Sequence, residues 1–268
     1  MIATDLAAAL DPVLFARRAG IEPDAWQADV LRSTASQLLL NCSRQVGKST
    51  VTSLVALHTA QYQAGALVLL LSPSLRQSQE LFRKVLDTLH ALEGTVASPD
   101  AESALRLELP NGSRIIALPG KEGTIRGYSG VKLLVLDEAS RVADDLYRAV
   151  RPMLAVSGGR LMGLSTPFGK RGWFHQEWTE GIGWERVQIQ AEQCARIPRD
   201  FLASERTSMP AALYRQEYEC SFEDLAAQMF GSELIASMFR ADVAPLFAPL
   251  ETAGLDDAVL PLFGEVSA

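Results

Sequence analysis

Cysteine is scarce in this chain: Cys42, Cys194 and Cys220 are the only three among 268 residues, and no two form a C-x-x-C pair. That excludes a disulfide framework and a zinc ribbon, and it suits a reducing compartment. The three histidines, His58, His90 and His175, lie too far apart in the chain for a metal motif. No stretch approaches the ~18 consecutive apolar residues expected of a membrane span. The N-terminus has no basic region followed by an apolar core, so no secretory signal is expected. Basic residues are missing after Arg240, where Asp242, Glu251, Asp256, Asp257 and Glu265 supply five of the acids behind a net charge of −7. A chain of that charge is not a general polyanion binder, although a local basic surface remains open to it. Internal repeats and low-complexity blocks are also absent.

What is present is ordinary globular material, 48% apolar and 21% charged, enough for one large or two small domains. Residues 1–37 read as mainly helical, with helix starts at Asp11-Pro12 and at Glu22-Pro23-Asp24, the second running to Ser36. Apolar runs at 38–41, 67–71, 131–136 and 160–164 read as strands covered on both faces. Helices are expected over 49–62, over 74–92 with Leu75, Leu81, Phe82, Val85, Leu86 and Leu89 facing inward, over 143–150 and from Arg199 to Cys220. Residues 105–109 and 114–118 flank Asn111-Gly112 as a hairpin. Residues 184–190 read as an edge strand, and the segment 120–130, with four glycines, as a mobile loop. Strands separated by helices imply an open, mostly parallel α/β sheet, which binds ligands at the carboxyl ends of its strands.

Three motifs fall at such strand ends. Residues Cys42 to Ser49 end in Gly47-Lys48-Ser49, the close of a G-x-x-x-x-G-K-[ST] phosphate loop, with Cys42 where the first glycine usually stands. Backbone N–H groups of Ser43, Arg44, Gln45, Val46 and Gly47 and the following helix N-terminus suit phosphates. Lys48 would neutralise the β/γ-phosphates, Ser49 would sit on Mg²⁺ with Thr50 beside it, and Arg44 adds a second cation. A Gly-Lys-Ser can begin a helix by chance; the flanking strand and the partner motifs argue against that here. The run Val131–Leu136 ends in Asp137-Glu138, where Asp137 suits the Mg²⁺ shell and Glu138 can orient and deprotonate water. Ser165-Thr166-Pro167 ends the next strand, and its hydroxyls can sense the γ-phosphate; a capped turn is the plainer reading.

Gln27 suits the amide edge of adenine, whereas Trp26 reads equally as a base contact or as core. Arg126, set among glycines, is placed to reach a neighbouring subunit's nucleotide, to touch a DNA phosphate or to brace its loop. Trp173, Trp178 and Trp184 read as packing residues.

Together these residues resemble the ATPase domain of a phage large terminase. The resemblance spans residues 12 to 240. It rests on Trp26-Gln27, the loop 42–49, Ser72-Pro73-Ser74 with Arg76-Gln77-Ser78, residues 123–130, Leu136-Asp137-Glu138-Ala139, Ser165-Thr166-Pro167 and Tyr214-Arg215-Gln216-Glu217-Tyr218. It implies a P-loop NTPase fold of the ASCE/RecA-like kind with a mostly parallel central sheet flanked by helices and a small helical C-terminal lid. Residues 1–190 would be the ATPase core, 191–240 the lid and 241–268 an acidic irregular tail. By the same resemblance Gln27 is the adenine residue, Arg44, Lys48 and Ser49 belong to Walker A, and Asp137 and Glu138 are Walker B and catalytic. Thr166 then couples hydrolysis to movement, and the family's arginine finger is carried to Arg126. The implied function is ATP- and Mg²⁺-dependent translocation of double-stranded DNA into a procapsid, in the cytoplasm of a bacterial host. Portal protein, a small terminase subunit and further copies in a ring are the implied partners. The nuclease domain usual in large terminases is not expected in this chain. The alternatives are another helicase-like, nucleic-acid-dependent ATPase, or a fragment that binds ATP or partners without turnover.

Overall fold

The structure, a computed structural model, describes residues 2–92, 98–120, 125 and 127–224. Three helices come first: α1 (Ile2–Leu10), α2 (Pro12–Arg18) and α3 (Ala25–Arg32). Asp11 caps α2, its carboxylate accepting from the Val13 N–H at 3.1 Å, with Pro12 at the first helical position. The second expected helix stops at Arg32, short of Ser36. Ser33 is extended there (φ −59, ψ 134), and its hydroxyl donates to Glu185 Oε2 at 2.8 Å.

Strands and further helices follow. They are β1 (Gln37–Cys42), α4 (Lys48–Tyr62), β2 (Leu67–Ser72), α5 (Leu75–Ala91), β3 (Ala101–Glu102), β4 (Arg106–Glu108), β5 (Arg114–Pro119), β6 (Val131–Asp137), α6 (Asp144–Val150), β7 (Arg160–Ser165), α7 (Gly172–Thr179), β8 (Glu185–Ile189), α8 (Arg199–Ser208) and α9 (Ala211–Tyr218). They build one sheet in the order β3-β4-β5-β2-β6-β7-β1-β8. The run from β5 to β8 is parallel throughout. Among the described residues the antiparallel pairings are β3 with β4 and β4 with β5, at one edge. The hairpin between β4 and β5 is held by Asn111, whose side chain donates to Ala60 O and Gln61 O at 2.8 and 3.0 Å. At the opposite edge β8 pairs, among the described residues, with β1 alone and is mostly exposed along its length.

Alternate residues of each central strand enter different cores, which explains the continuous apolar runs. One face sends Leu38, Leu40, Val68, Leu70, Val135 and Leu164 against α2, α4 and α5. The other sends Leu39, Leu69, Leu71, Leu134 and Leu136 against Tyr147, Trp173 and Phe174. Fully buried Phe15, Phe82 and Phe174 contribute roughly 1.5–3 kcal/mol each through lost apolar exposure. Trp173 and Trp184 are core residues, and Trp26 packs against the core from a half-buried position. Leu75 departs from the inward pattern: it is 48% exposed, because the first turn of α5 begins beyond the end of β2. Ile125, inside the glycine-rich segment read as mobile, is buried in the second core. Among the described residues no helix is long and apolar enough to cross a membrane.

Gly159, just before β7, passes so close to β6 that a Cβ on it would lie 2.0 Å from the Val131 carbonyl oxygen. No rotamer relieves a clash with backbone. Gly159→Ala should therefore lose stability at the upper end of roughly 1–3 kcal/mol, read from urea denaturation midpoints. Wild-type stability in that variant would show that the strands are not so closely held.

Candidate functional site

Three neighbouring strands bring the predicted motifs to one edge of the sheet. β7 lies between β6 and β1, with Asp137 beside Leu164 and Asn41 beside Ser165. The loop 43–47, Asp137-Glu138 and Ser165-Thr166 consequently emerge side by side. They border an open cleft of about 900 Å³, to which Gln27, Arg44, Gln45, Gly47, Lys48, Ser49, Thr50, Glu138 and Thr166 all contribute.

Cys42 is the last residue of β1 and fully buried, so the irregular position lies in the strand and needs no glycine. The left-handed steps fall later, on Gln45 (φ 64) and Gly47 (φ 101). Gly47 has a second constraint: a Cβ there would meet Gln27 Nε2 at 2.6 Å. Burial pushes the Cys42 thiol up to about 12, which leaves it inert as a nucleophile.

The Lys48 ammonium, at the first turn of α4, donates to Cys42 O (3.3 Å), Ser43 O (3.0 Å) and Thr166 Oγ1 (3.1 Å). One cation thereby ties the phosphate loop to the end of β7. Thr166 and Ser165 are buried, and the Ser140 hydroxyl bonds both Ser165 Oγ (2.6 Å) and Thr166 O (2.8 Å). Ser140 belongs to the 3-10 turn Ala139–Arg141, which Glu138 enters in the left-handed conformation (φ 48). That step turns the chain sharply from β6 and places Glu138, half-buried, on the cleft wall.

Asp137 is buried at the end of β6. Burial, reinforced by the negative charge of Glu138 and opposed by the positive charge of Lys48, raises its carboxyl to about 7. A buried carboxylate of this kind next to a phosphate loop is suited to a divalent cation, which removes the cost of its charge. Among the described residues no group of three or more His, Cys, Asp or Glu forms a metal cluster by itself.

Gln27 is buried, with its amide nitrogen 3.4 Å from Gly47 O and its Oε1 accepting from the Asp24 N–H at 3.0 Å. Arg196 completes that wall, donating to Asp24 Oδ1 (2.7 Å) and to Val46 O (3.0 Å). Arg44, on the cleft border, forms an ion pair with Glu217 of α9, and its backbone N–H reaches Glu217 O at 3.4 Å. The same C-terminal segment is tied to β1, where the buried Asn41 donates to Cys220 O at 2.9 Å. Arg196, Glu217, Asn41 and Ser140 were not picked out as site residues from sequence. Only Glu217 carried any signal, as part of the segment 214–218. Arg126 lies outside the described residues.

Residues 39–237 match the family described as terminase large subunit, T4likevirus-type, N-terminal. The chain is 25% identical over 247 residues to the terminase large subunits of Thermus phage G20c and Thermus virus P23-45, aligned over 79% of this chain and 51% of each relative. It thus spans about half the length of the curated relatives it matches. The large terminase ATPase domain of Thermus phage P74-26 has a similar fold, with a TM-score of 0.69 at 22% identity over 78% of this chain and 97% of that one. The large terminase of a thermophilic bacteriophage, solved in complex with ADP, follows at 0.64 and 12% identity, over 75% of this chain and 54% of that one.

Asp137 gives the site a pH signature. Folded, its carboxyl keeps the proton up to about pH 7; unfolded, only to its ordinary value near 3.8. The folded state therefore binds more protons between those limits, and stability falls as pH rises through them. Asp137→Asn should flatten that fall and melt higher than wild type near pH 8 without nucleotide. Melting curves that track wild type at every pH would refute the buried, protonated state.

Proposed function

Because the chain belongs to the family of T4likevirus-type terminase large subunits, matching their N-terminal part, we propose that it is the ATP-hydrolysing motor portion of a DNA-packaging terminase. Its substrate is ATP, and the work is translocation of double-stranded DNA into a procapsid. The observation that carries this reading is the single ammonium of Lys48, which reaches both the phosphate loop and Thr166 from the edge that Asp137-Glu138 also occupies.

Phosphate oxygens entering the cleft compete for the donors of Lys48. The bond to Thr166 is then given up, and the freed hydroxyl reads the γ-phosphate instead. Ser140 passes the change between the end of β7 and the turn after Glu138, because it holds both Ser165 Oγ and Thr166 O. Arg44 serves the phosphates only after leaving Glu217, so nucleotide binding loosens α9, which acts as part of the helical lid after residue 190. Gln27 and Arg196 form the wall that meets the base. Glu138 accepts the proton of the attacking water, water oxygen bonds to the γ-phosphorus, and the bond to the β-phosphate oxygen breaks to leave ADP. Mg²⁺, held by Ser49 and Asp137 with the nucleotide, would neutralise charge on the phosphates. The arginine finger is assigned to Arg126, acting on a neighbouring copy. Portal protein and a small terminase subunit complete the assembly, which operates in the bacterial cytoplasm.

Glu138→Gln keeps the size and loses the base. Phosphate release in the presence of double-stranded DNA should drop by about 10²–10⁴-fold, while ATP binding, followed by fluorescent-analogue titration, persists. Undiminished turnover in this variant would remove Glu138 from the mechanism.

A further inference from the structure

The loop that follows Thr166 carries an aromatic ring shared by two cations, one of which, Arg141, also borders the cleft. Phe168 is half-buried, and two guanidinium groups lie against its ring: Arg141 at 4.0 Å from the centroid and Arg171 at 4.8 Å. Both distances are within cation–π range. Lys170, next to Arg171 in sequence, lies 3.5 Å from Asp224. Arg141, Lys170 and Arg171 are all exposed.

A shared ring sets the two arginines apart, since Arg76, Arg114, Arg186 and Arg199 also form no ion pair among the described residues. Many other arginines sit on a carboxylate, among them Arg17 on Glu22, Arg32 on Asp11, Arg151 on Glu177 and Arg215 on Glu223. Arg141 and Arg171 have no carboxylate partner among the described residues. In a chain with more acids than bases, two like charges are gathered on one aromatic ring with no carboxylate partner among the described residues. The ring fixes the flexible guanidinium stems, so less freedom is lost when an anion arrives. An anion accepting from both completes the arrangement.

The position says what such an anion would report to. Arg141 ends the turn that begins after Glu138, and Phe168 is two residues beyond Thr166. The two elements that flank the γ-phosphate in our reading of the site therefore contribute one cation each.

We propose that Arg141 and Arg171, braced on Phe168, form a grip for the phosphodiester backbone of double-stranded DNA. This rests on the motor reading above and adds the surface where DNA is held. Contacts of this kind are independent of base sequence and act through counterion release. A phosphate bound there pulls on the loop after Thr166 and on the turn after Glu138 together, so DNA occupancy is felt by the residues that sense and activate.

The test is binding of a random-sequence double-stranded DNA to the full chain across a salt series. For Arg171→Gln the slope of log affinity against log salt should become shallower by about 1, and for the double variant Arg141→Gln with Arg171→Gln by about 2. Phe168→Leu keeps both charges and should lower affinity several-fold with the wild-type slope. That pattern separates loss of bracing from loss of folding, and melting temperatures check the fold of each variant. Wild-type affinity and slope in the double variant would overturn the grip and leave the motor reading standing. Failure of the wild-type chain to bind DNA at any salt would overturn both. Lost nucleotide affinity with unchanged DNA binding would assign the pair to the nucleotide cleft and overturn the proposal.

Discussion

Three adjacent strands must deliver polar groups, some of them charged, to one cleft, and a single ammonium makes that arrangement tenable. Lys48 donates to the carbonyl oxygens of Cys42 and Ser43, where β1 passes into the phosphate loop, and to a buried hydroxyl just beyond β7. It also moderates the charge of Asp137, whose burial would otherwise push its carboxyl up still further. Without that cation these acceptors would lose a charged donor beside a desolvated acid, a combination that costs several kcal/mol. The remaining geometry, from the left-handed step at Glu138 to the Ser140 bridge, is arranged around it.

Much of this could be read from the residues in order. The central strands announced themselves because a parallel strand buried on both faces has no polar alternation, and 67–71 has none. In β6 the exposed Lys132 sits near the start, and the rest of the strand is buried without a break. The three strand-end motifs were legible because their chemistry is local: Gly47-Lys48-Ser49, Asp137-Glu138 and Ser165-Thr166 each stand within a few residues. Boundaries fared less well where a distant side chain decided them. The end of α3 at Arg32 is tied to Glu185, more than 150 residues later. Leu75 looked inward by periodicity, but a helix that starts beyond the strand leaves its first turn without a core to face.

The residues that escaped notice share a reason. Arg196 closes the wall beside Gln27 by reaching Asp24 and Val46 O, and Glu217 holds Arg44, yet neither lies near its target in sequence. Such contacts follow from where α9 and the segment after β8 come to rest, and no spacing rule encodes that. The cysteine at the unusual position of the loop has a simpler explanation. It ends a strand with ordinary backbone angles, and the residues that take the left-handed steps are Gln45 and Gly47.

Most of the wiring around the cleft terminates on main-chain oxygen: Lys48 on Cys42 and Ser43, Arg196 on Val46, Asn41 on Cys220. A carbonyl is present whatever side chain its residue bears. The receiving positions are consequently free to drift over evolutionary time, provided the backbone keeps its path, while the few donors are not. Two descendants of one ancestor can thus come to look unrelated along the loop and still hold the same groups in the same places.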